Sequence, residues 1–503
     1  MTAGGGPLSR PALVLGVLAL IVHAYADLHY DFFRDELYFI VCGRNPALGY
    51  VDQPPVIPLI AGFADWAAPG SLLALRALPT LMAVACIAGA IWLVRLLNGG
   101  LFAAWLAGLC VFLAPFDMAL GSLLTTDLFT PVAWIGCAGL LVKMLRDGDH
   151  RRWIPFGIIV GLTLWTKYLI AFNLVALAVA LPFTPLRRGL LTRWPYLAAL
   201  IALAVVAPNV WWQAEHGFPF LELGANGVKG KNIALSLPGY LSSLVVLFGP
   251  TAAIVWIAGL GAVAFAPRWR LYRLFALQFV AFVAIETVLH GKDYYAASLF
   301  PMLFALGAVA IEAAVRHAVL RGIVTGAVVL MGIVAAPMSA PVLPVETFIA
   351  YEHALGYKAP QMEHRDLSEL PQVFADMFGW REMAKMVSDA YWALPEADRG
   401  KAVFAGNNYG EAAAVDVFGE KLPPSISGHN NYFVWGPRGH DGSVVIRVSG
   451  KPEAAKEAYD DVQVVGRLNN RYAMPDEANL YVIVCRGRKS SLIDDWPQFK
   501  NYN

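Results

Sequence analysis

The sequence predicts a mainly α-helical membrane protein, a bundle of about eleven transmembrane helices followed by a soluble α/β domain at the C-terminal end. Three observations predict it. Of the 503 residues, 58% are hydrophobic and only 15% charged, at a mean hydropathy of +0.54. A water-facing globule carries about 25% charged residues, so much of this chain has lipid as its solvent. Apolar runs long enough to cross a bilayer recur as far as Pro337, and beyond it the composition turns polar.

The first run is Pro11 to Ala26, preceded by Arg10. Its Ala24-Tyr25-Ala26 end is similar to a signal-peptidase site, but a retained span fits the charge pattern that follows. Later runs are Ser71–Leu93, Leu101–Pro115, Leu128–Val142, Ile154–Trp165, Leu169–Phe183, Pro195–Trp212, Gly239–Phe265, Leu274–Leu289, Ala296–Val315 and Gly322–Pro337. Basic clusters punctuate them: Arg95, Lys143/Arg146/Arg151/Arg152, Arg187/Arg188/Arg193, Arg268/Arg270/Arg273 and Arg316/Arg321. By the positive-inside rule these loops are cytoplasmic. The stretch between Arg152 and Arg187 then crosses an even number of times, as two short helices meeting near Lys167. This topology places the N-terminus in the cytoplasm and the C-terminal domain outside.

Two domains follow: a transmembrane module over residues 1–337, with a first outer loop at about 27–70, and an outer α/β domain over 338–503. In the second, β-like stretches (Lys401–Ala405, Ser443–Val448, Val462–Val465, Asn479–Cys485) alternate with helical ones (Gly379–Trp392, Tyr409–Phe418, Glu453–Tyr459). Net charge is +1, which gives no electrostatic case for nucleic acid. The five cysteines have neither metal-ligand nor disulfide-framework spacing.

The first outer loop concentrates the chemistry. Asp31, Arg34, Asp35, Glu36 and Arg44 fall within fourteen residues of a membrane exit. Asp35 and Glu36 suit the negative charge favoured at the start of a helix beginning near Glu36. Alternatively, one of them is a general base at the bilayer surface. Further on, Lys167 is an ammonium at a junction of two spans, which either snorkels to headgroups or faces a polar site. Asp52 and Asp127 are acids on outer segments, and Asp127 reads first as the cap of a helix starting at Leu128. Tyr38, Tyr294 and Tyr295, with Trp211/Trp212, read as interfacial aromatics or as platforms for a sugar face. In the outer domain, Ala405-Gly-Asn-Asn-Tyr-Gly-Glu411 and Ser427-Gly-His-Asn-Asn-Tyr432 read first as tight turns and second as an acceptor-contact surface.

Four motifs, in order, carry a family resemblance: Asp35-Glu-Leu-Tyr38, Gly49-Tyr-Val-Asp-Gln-Pro-Pro55, Leu124-Thr-Thr-Asp-Leu128 and Leu164-Trp-Thr-Lys-Tyr168. With Lys292-Asp-Tyr-Tyr295 and Phe300-Pro301, the set resembles glycosyltransferase family 39, the protein O-mannosyltransferases and lipid A aminoarabinose transferases, over roughly residues 10–315. The resemblance implies a GT-C fold in the bacterial inner membrane, with a periplasmic active site and a polyprenyl-phosphate sugar as donor. The acceptor would be a hydroxyl of an envelope lipid, glycan or protein. Asp35 would be the catalytic base, with Glu36 beside it, and stereochemistry would invert. The leaving group is already an anion, so positive charge and hydrogen-bond donors are its main need.

Here the chain departs from the aminoarabinose transferases. Where they carry a basic residue three places after the catalytic Asp, and a Lys before the Pro of the second motif, this chain has Tyr38 and Gln53. The donor phosphate then falls to Arg34, Arg44, Lys167 and Lys292, with His290 and Lys229/Lys231 behind them. Tyr38, Asp52, Gln53, Asp127, His290, Tyr294 and Tyr295 are the expected cavity residues. No cofactor is required, although Asp52 occupies the position of an acid that can bind a divalent metal in some relatives. Two rival readings are a transporter or flippase of a lipid-linked intermediate, which predicts charges deep within spans, and a catalytically silent scaffold with this fold.

Overall fold

A computed structural model describes residues 9–357, 363, 366 and 368–503. Among them, six helices are long and apolar enough to cross a membrane: Ser9–Ala26, Leu72–Leu96, Trp194–Glu215, Pro267–Leu289, Asp293–Ala314 and Ala318–Ser339. Two bent pairs raise this to eight: Leu101–Leu113 with Pro115–Gly121, at 66°, and Ile170–Phe183 with Pro185–Leu191, at 104°. The protein is therefore a multi-pass membrane protein. The expectation of eleven spans counted shorter runs as crossings. One of its single spans, Gly239–Phe265, is two helices, Leu237–Leu247 and Ala253–Phe265. The physical reason lies between them. Gly249 sits at φ +89° and Pro250 supplies no N–H, so the helix cannot run through. The expected break near Lys167 is present, between Trp153–Leu164 and Ile170–Ala180.

The chain forms two compact units. The first holds Met1–His29, Arg76–Trp211 and Ile233–Pro344. Its interior is a continuous apolar core running from Leu15 to Val328. Where helices cross closely, glycine permits it: a Cβ on Gly307 would lie 1.8 Å from the Val255 carbonyl oxygen, and one on Gly259 2.7 Å from the Gly307 nitrogen. Several buried polar groups pair with one another. His23 Nδ1 meets the Ser122 hydroxyl at 2.8 Å, and the Asn173 amide donates to Ser298 at 3.0 Å. The Glu312 carboxylate accepts from the Gly100 and Ala103 N–H groups, capping Leu101–Leu113.

The second unit holds Tyr30–Leu75, Trp212–Asn232 and Val345–Asn503. In it the loop residues Tyr30–Leu75 fold with C-terminal residues far along the chain. A four-stranded sheet has strand order β1-β2-β4-β3, from β1 (Ala402–Ala405), β2 (Val444–Ser449), β3 (Tyr459–Asn469) and β4 (Asn479–Arg488). β1 and β2 are parallel, which demands a crossover, and the helix Tyr409–Phe418 lies within it. β2 and β3 each pair antiparallel with β4. The helix Trp380–Trp392 packs on Tyr409–Phe418, which in turn packs on Arg34–Arg44 from the first loop. Arg34–Arg44 also crosses Val56–Ala67 closely, a Cβ on Gly43 falling 2.1 Å from the Pro58 carbonyl oxygen.

The Gly307 crossing yields a test. Gly307→Ala collides with backbone that no rotamer change relieves, and should cost about 1–3 kcal/mol. Gly261, on the partner helix, has open space around its Cβ position. Gly261→Ala should therefore leave the melting temperature in detergent unchanged or raised, while Gly307→Ala lowers it.

Candidate active site

The helix Arg34–Arg44 begins where Phe33 is extended, at φ −72° and ψ 144°. Glu36 Oε2 accepts the Phe33 N–H at 2.9 Å, so this fully buried carboxylate ties down the helix start. Its neighbour is oriented differently. The Asp35 side chain is 36% exposed, and its Oδ1 accepts the Tyr409 hydroxyl at 2.7 Å. Arg34 Nε lies 3.7 Å from the same oxygen. The acidic pair thus divides into a capping member and an accessible one.

Arg34 is committed to protein partners. Its Nη1 is 3.8 Å from the buried Asp376 carboxylate, its N–H donates to the Asp376 carbonyl at 3.0 Å, and its guanidinium lies 5.1 Å from the Tyr409 ring centroid. Arg44 bridges Asp65 at 2.8 Å and the Asp416 carbonyl at 2.8 Å. Both arginines expected to hold a phosphate therefore already serve the packing of this unit. Behind them, Lys231 lies 3.6 Å from Glu363.

Tyr38 is buried, its hydroxyl donating to Asp52 Oδ1 at 3.0 Å and accepting the Asn431 N–H at 3.1 Å. The Asn431 side-chain oxygen accepts the Val51 N–H at 3.2 Å, and the Asn430 amide reaches Asp52 at 3.5 Å. Gln53 is 1% exposed, and neither of its amide atoms has a hydrogen-bond partner among the described residues. Burial pushes the Asp52 carboxyl up to about 7, against the opposing Tyr38 hydrogen bond and the Lys231 charge, with the Asp35 charge adding to the rise. A carboxyl so reluctant to ionise is a poor cation ligand. Among the described residues no group of three or more His, Cys, Asp or Glu side chains could hold a metal.

A second cluster lies in the first unit, at the break between Trp153–Leu164 and Ile170–Ala180. The Lys167 and Thr166 N–H groups both fall on the Thr163 carbonyl, ending the first helix. The Lys167 ammonium pairs with Asp127, so Asp127 serves as a counter-ion; the helix it was expected to cap begins later, at Thr130. Lys167 Nζ is 5.6 Å from the Tyr294 ring centroid and 5.4 Å from that of Tyr295. Lys292 Nζ is 5.9 Å from the Tyr294 centroid, and the Tyr294 ring stacks on Phe116 at 5.7 Å. Two cations thus gather around one aromatic box, a favourable setting for ammonium groups. Exposed His290 ends Arg273–Leu289 in the left-handed conformation, at φ 52°.

Composition left the outer-domain Asn and Gly runs as turns, and there the structure differs. Of these two segments, only Asn430 has positive φ among non-glycine residues, and neither Gly406, Gly410 nor Gly428 does. The glycines are there for close approach: a Cβ on Gly410 would lie 2.5 Å from Arg34 Cγ. Asp376 is a partner of Arg34 that sequence reasoning did not single out, and Tyr409, Asn430 and Asn431 stand in the two segments it read as turns or as an acceptor-contact surface. Their signal was present as Asn-Tyr-Gly-Glu and His-Asn-Asn-Tyr, but nothing local says that these segments meet a loop more than 350 positions earlier.

Known proteins are similar to this chain in part of its sequence and in its fold. Residues 52–212 match the family described as dolichyl-phosphate-mannose-protein mannosyltransferase. A lipid A galacturonosyltransferase, RgtD, of Rhizobium johnstonii is 24% identical over 254 residues, 48% of this chain and 50% of the relative. The chain thus spans about half the length of that relative. The fold is similar to that of ArnT from Cupriavidus metallidurans bound to undecaprenyl phosphate, with TM-score 0.63, 15% identity, and coverage of 94% of this chain and 97% of that one. It is also similar to the mycobacterial arabinofuranosyltransferase AftD, with TM-score 0.51 and 13% identity, over 96% of this chain and 42% of that one. The fold defines a GT-C-type membrane protein. Residues 52–212 thus resemble a mannosyltransferase family, and the fold of the chain is similar to that of ArnT.

The raised Asp52 carboxyl gives a pH test. A folded-state value near 7 against 3.8 means that the folded protein holds the proton longer than the unfolded chain. The contribution is whole below about pH 4 and is lost as pH rises to about 7. Thermal unfolding of Asp52→Asn should lack this component. Between pH 4 and 7 it should lose less stability than the parent, by about 1–3 kcal/mol after allowing for solvent at the half-buried carboxyl.

Proposed function

We propose that the protein is an inner-membrane glycosyltransferase that moves a sugar from a polyprenyl-phosphate donor to a hydroxyl of an envelope lipid, glycan or protein on the periplasmic face. The observation that carries this reading is Asp35, a partly exposed carboxylate with one oxygen tied down, on a first loop whose motif order is that of family 39. The likeness to a protein crystallised with undecaprenyl phosphate, and to a lipid A glycosyltransferase, supports a lipid-linked donor.

In this reading Asp35 accepts the proton of the acceptor hydroxyl as its oxygen bonds to the anomeric carbon. The bond from that carbon to the phosphate oxygen breaks on the opposite face, inverting the configuration. The polyprenyl phosphate leaves as an anion and requires cationic stabilisation. Arg34 and Arg44 are engaged by protein carboxylates and carbonyls, which in this reading assigns the task to Lys167 and Lys292 among the four candidates. The Lys167 ammonium is paired with Asp127, a counter-ion that a donor phosphate would displace. The aromatic rings beside it are suited to a sugar face.

One observation favours the rival transporter reading. His23, Asp117 and Glu286 are buried in apolar helices, and the Asp117 and Glu286 carboxylates have no hydrogen-bond partner among the described residues. Intramembrane acids are expensive to keep and often mark ion paths. The two readings separate on Asp35.

Asp35→Asn should abolish sugar transfer in a membrane assay with undecaprenyl-phosphate-linked sugars, with an unchanged melting temperature. Full transfer by the variant removes Asp35 from the mechanism. Lys167→Met should raise the apparent KM for the lipid donor roughly tenfold or more, by loss of a charged contact. Unchanged donor kinetics would instead leave Lys167 as a headgroup-anchoring lysine.

A further inference from the structure

We propose that Tyr409 is a positioning residue, whose hydroxyl holds Asp35 Oδ1 and leaves Oδ2 as the atom that receives the acceptor's proton. This rests on the role of Asp35 given above, and it assigns a task to the C-terminal residues that the mechanism does not otherwise use.

A carboxylate offers two oxygens and about four lone-pair directions, and a base is effective only when one of them is presented in a fixed direction. At Asp35 both protein interactions fall on Oδ1: the Tyr409 hydroxyl at 2.7 Å and Arg34 Nε at 3.7 Å. Among the described residues, no hydrogen bond falls on Oδ2, and the side chain is 36% exposed. The oxygens are thereby made unequal, one fixed and one free.

Tyr409 is itself fixed from several directions. Its ring lies 4.7 Å from that of Tyr38, centroid to centroid, with the Arg34 guanidinium 5.1 Å from its own centroid. Its N–H points to His429 Nδ1 at 3.4 Å, and His429 Nε2 in turn meets the Asn503 carbonyl at 3.0 Å. Asn408, the preceding residue, caps the helix by accepting the Glu411 N–H and donates to buried Glu477 at 2.8 Å. A phenol in such a frame is a donor of set direction. Burial keeps its proton on, pushing its ionisation well above the ordinary phenol range despite the Arg34 charge. Tyr409 therefore donates to Asp35 throughout the working pH range.

The charged and titratable groups facing Asp35 are Arg34 and Glu36 on its own helix, Tyr409 on the packed helix, and Asp52 and His429 from two loops. Burial lowers His429 to about 4, so it is neutral at pH 7 and gains charge only in the acidic part of the range tested.

The test titrates Asp35 in the intact protein without a sugar substrate. Dicyclohexylcarbodiimide labels protonated carboxyls, and mass spectrometry of the Asp35 peptide gives the midpoint of labelling against pH. Loss of the hydrogen bond in Tyr409→Phe should raise that midpoint by about 1–2 units. Transfer by Tyr409→Phe should fall in kcat more than in donor KM, with its acidic limb displaced upward by the same amount. An unchanged midpoint in a Tyr409→Phe protein that melts like the parent overturns the proposal. If that variant does not fold, Arg34→Lys provides the comparison: it keeps the Tyr409 hydroxyl, so its midpoint should rise by less than one unit. A larger rise would assign the fixing of Oδ1 to Arg34 and sink the role of Tyr409. An active Asp35→Asn refutes the base, whereas an unshifted Tyr409→Phe beside an inactive Asp35→Asn refutes only the positioning.

Discussion

The docking of Arg34–Arg44 on Tyr409–Phe418 is the interaction on which the second unit depends. Arg34 stands at its centre, with Asp376 on one side, Asp35 on another and the Tyr409 ring against its guanidinium. Gly410 lets the two helices approach, since any side chain there would strike Arg34. A buried guanidinium is costly unless carboxylates surround it, and a carboxylate shared in this way is held in one geometry. The same contacts that stabilise the packing therefore orient Asp35. Arg34 spent in this manner is not a free phosphate ligand, which in the proposed reaction leaves the anion to Lys167 and Lys292.

Those lysines meet a different constraint. An ammonium beside apolar helices must keep a counter-ion or reach water, and Lys167 keeps Asp127, with two tyrosine rings close by. Both are there because the helix from Trp153 stops at Leu164 and the chain restarts at Ile170. A continuous helix would carry Lys167 on its flank, with no reason to face Asp127. This break follows the pattern of basic loops, whereas Gly249-Pro250 divides a run that composition leaves whole.

Tyr38 and Gln53, where the resemblance to the aminoarabinose transferases implies basic residues, shape the neighbourhood of the first loop in a specific way. Tyr38 and Gln53 are uncharged, and both are buried. Tyr38 becomes a hydrogen-bond relay between Asp52 and the Asn431 backbone, linking the loop to the C-terminal residues. A buried lysine at either position would need its own counter-ion, and Asp52, with its carboxyl raised to about 7, is poorly suited to the part.

The sequence by itself determined the membrane class, the four strands and their flanking helices to within a few residues, and the order of motifs. Each of these follows from local composition and periodicity, which are properties of short stretches. It also placed Glu36 and Asp35 at a helix start, but could not separate their tasks, because both carry the same charge at adjacent positions. Only the tertiary structure decided that Glu36 turns back to cap Phe33 while Asp35 turns toward Tyr409. Likewise, Asn-Tyr-Gly-Glu reads as a turn until Arg34 is seen against Gly410. The pairing energy of Asp35 with Tyr409 comes from a contact 374 positions apart in the chain. Long-range contacts of this kind depend on packing complementarity, which no local pattern encodes.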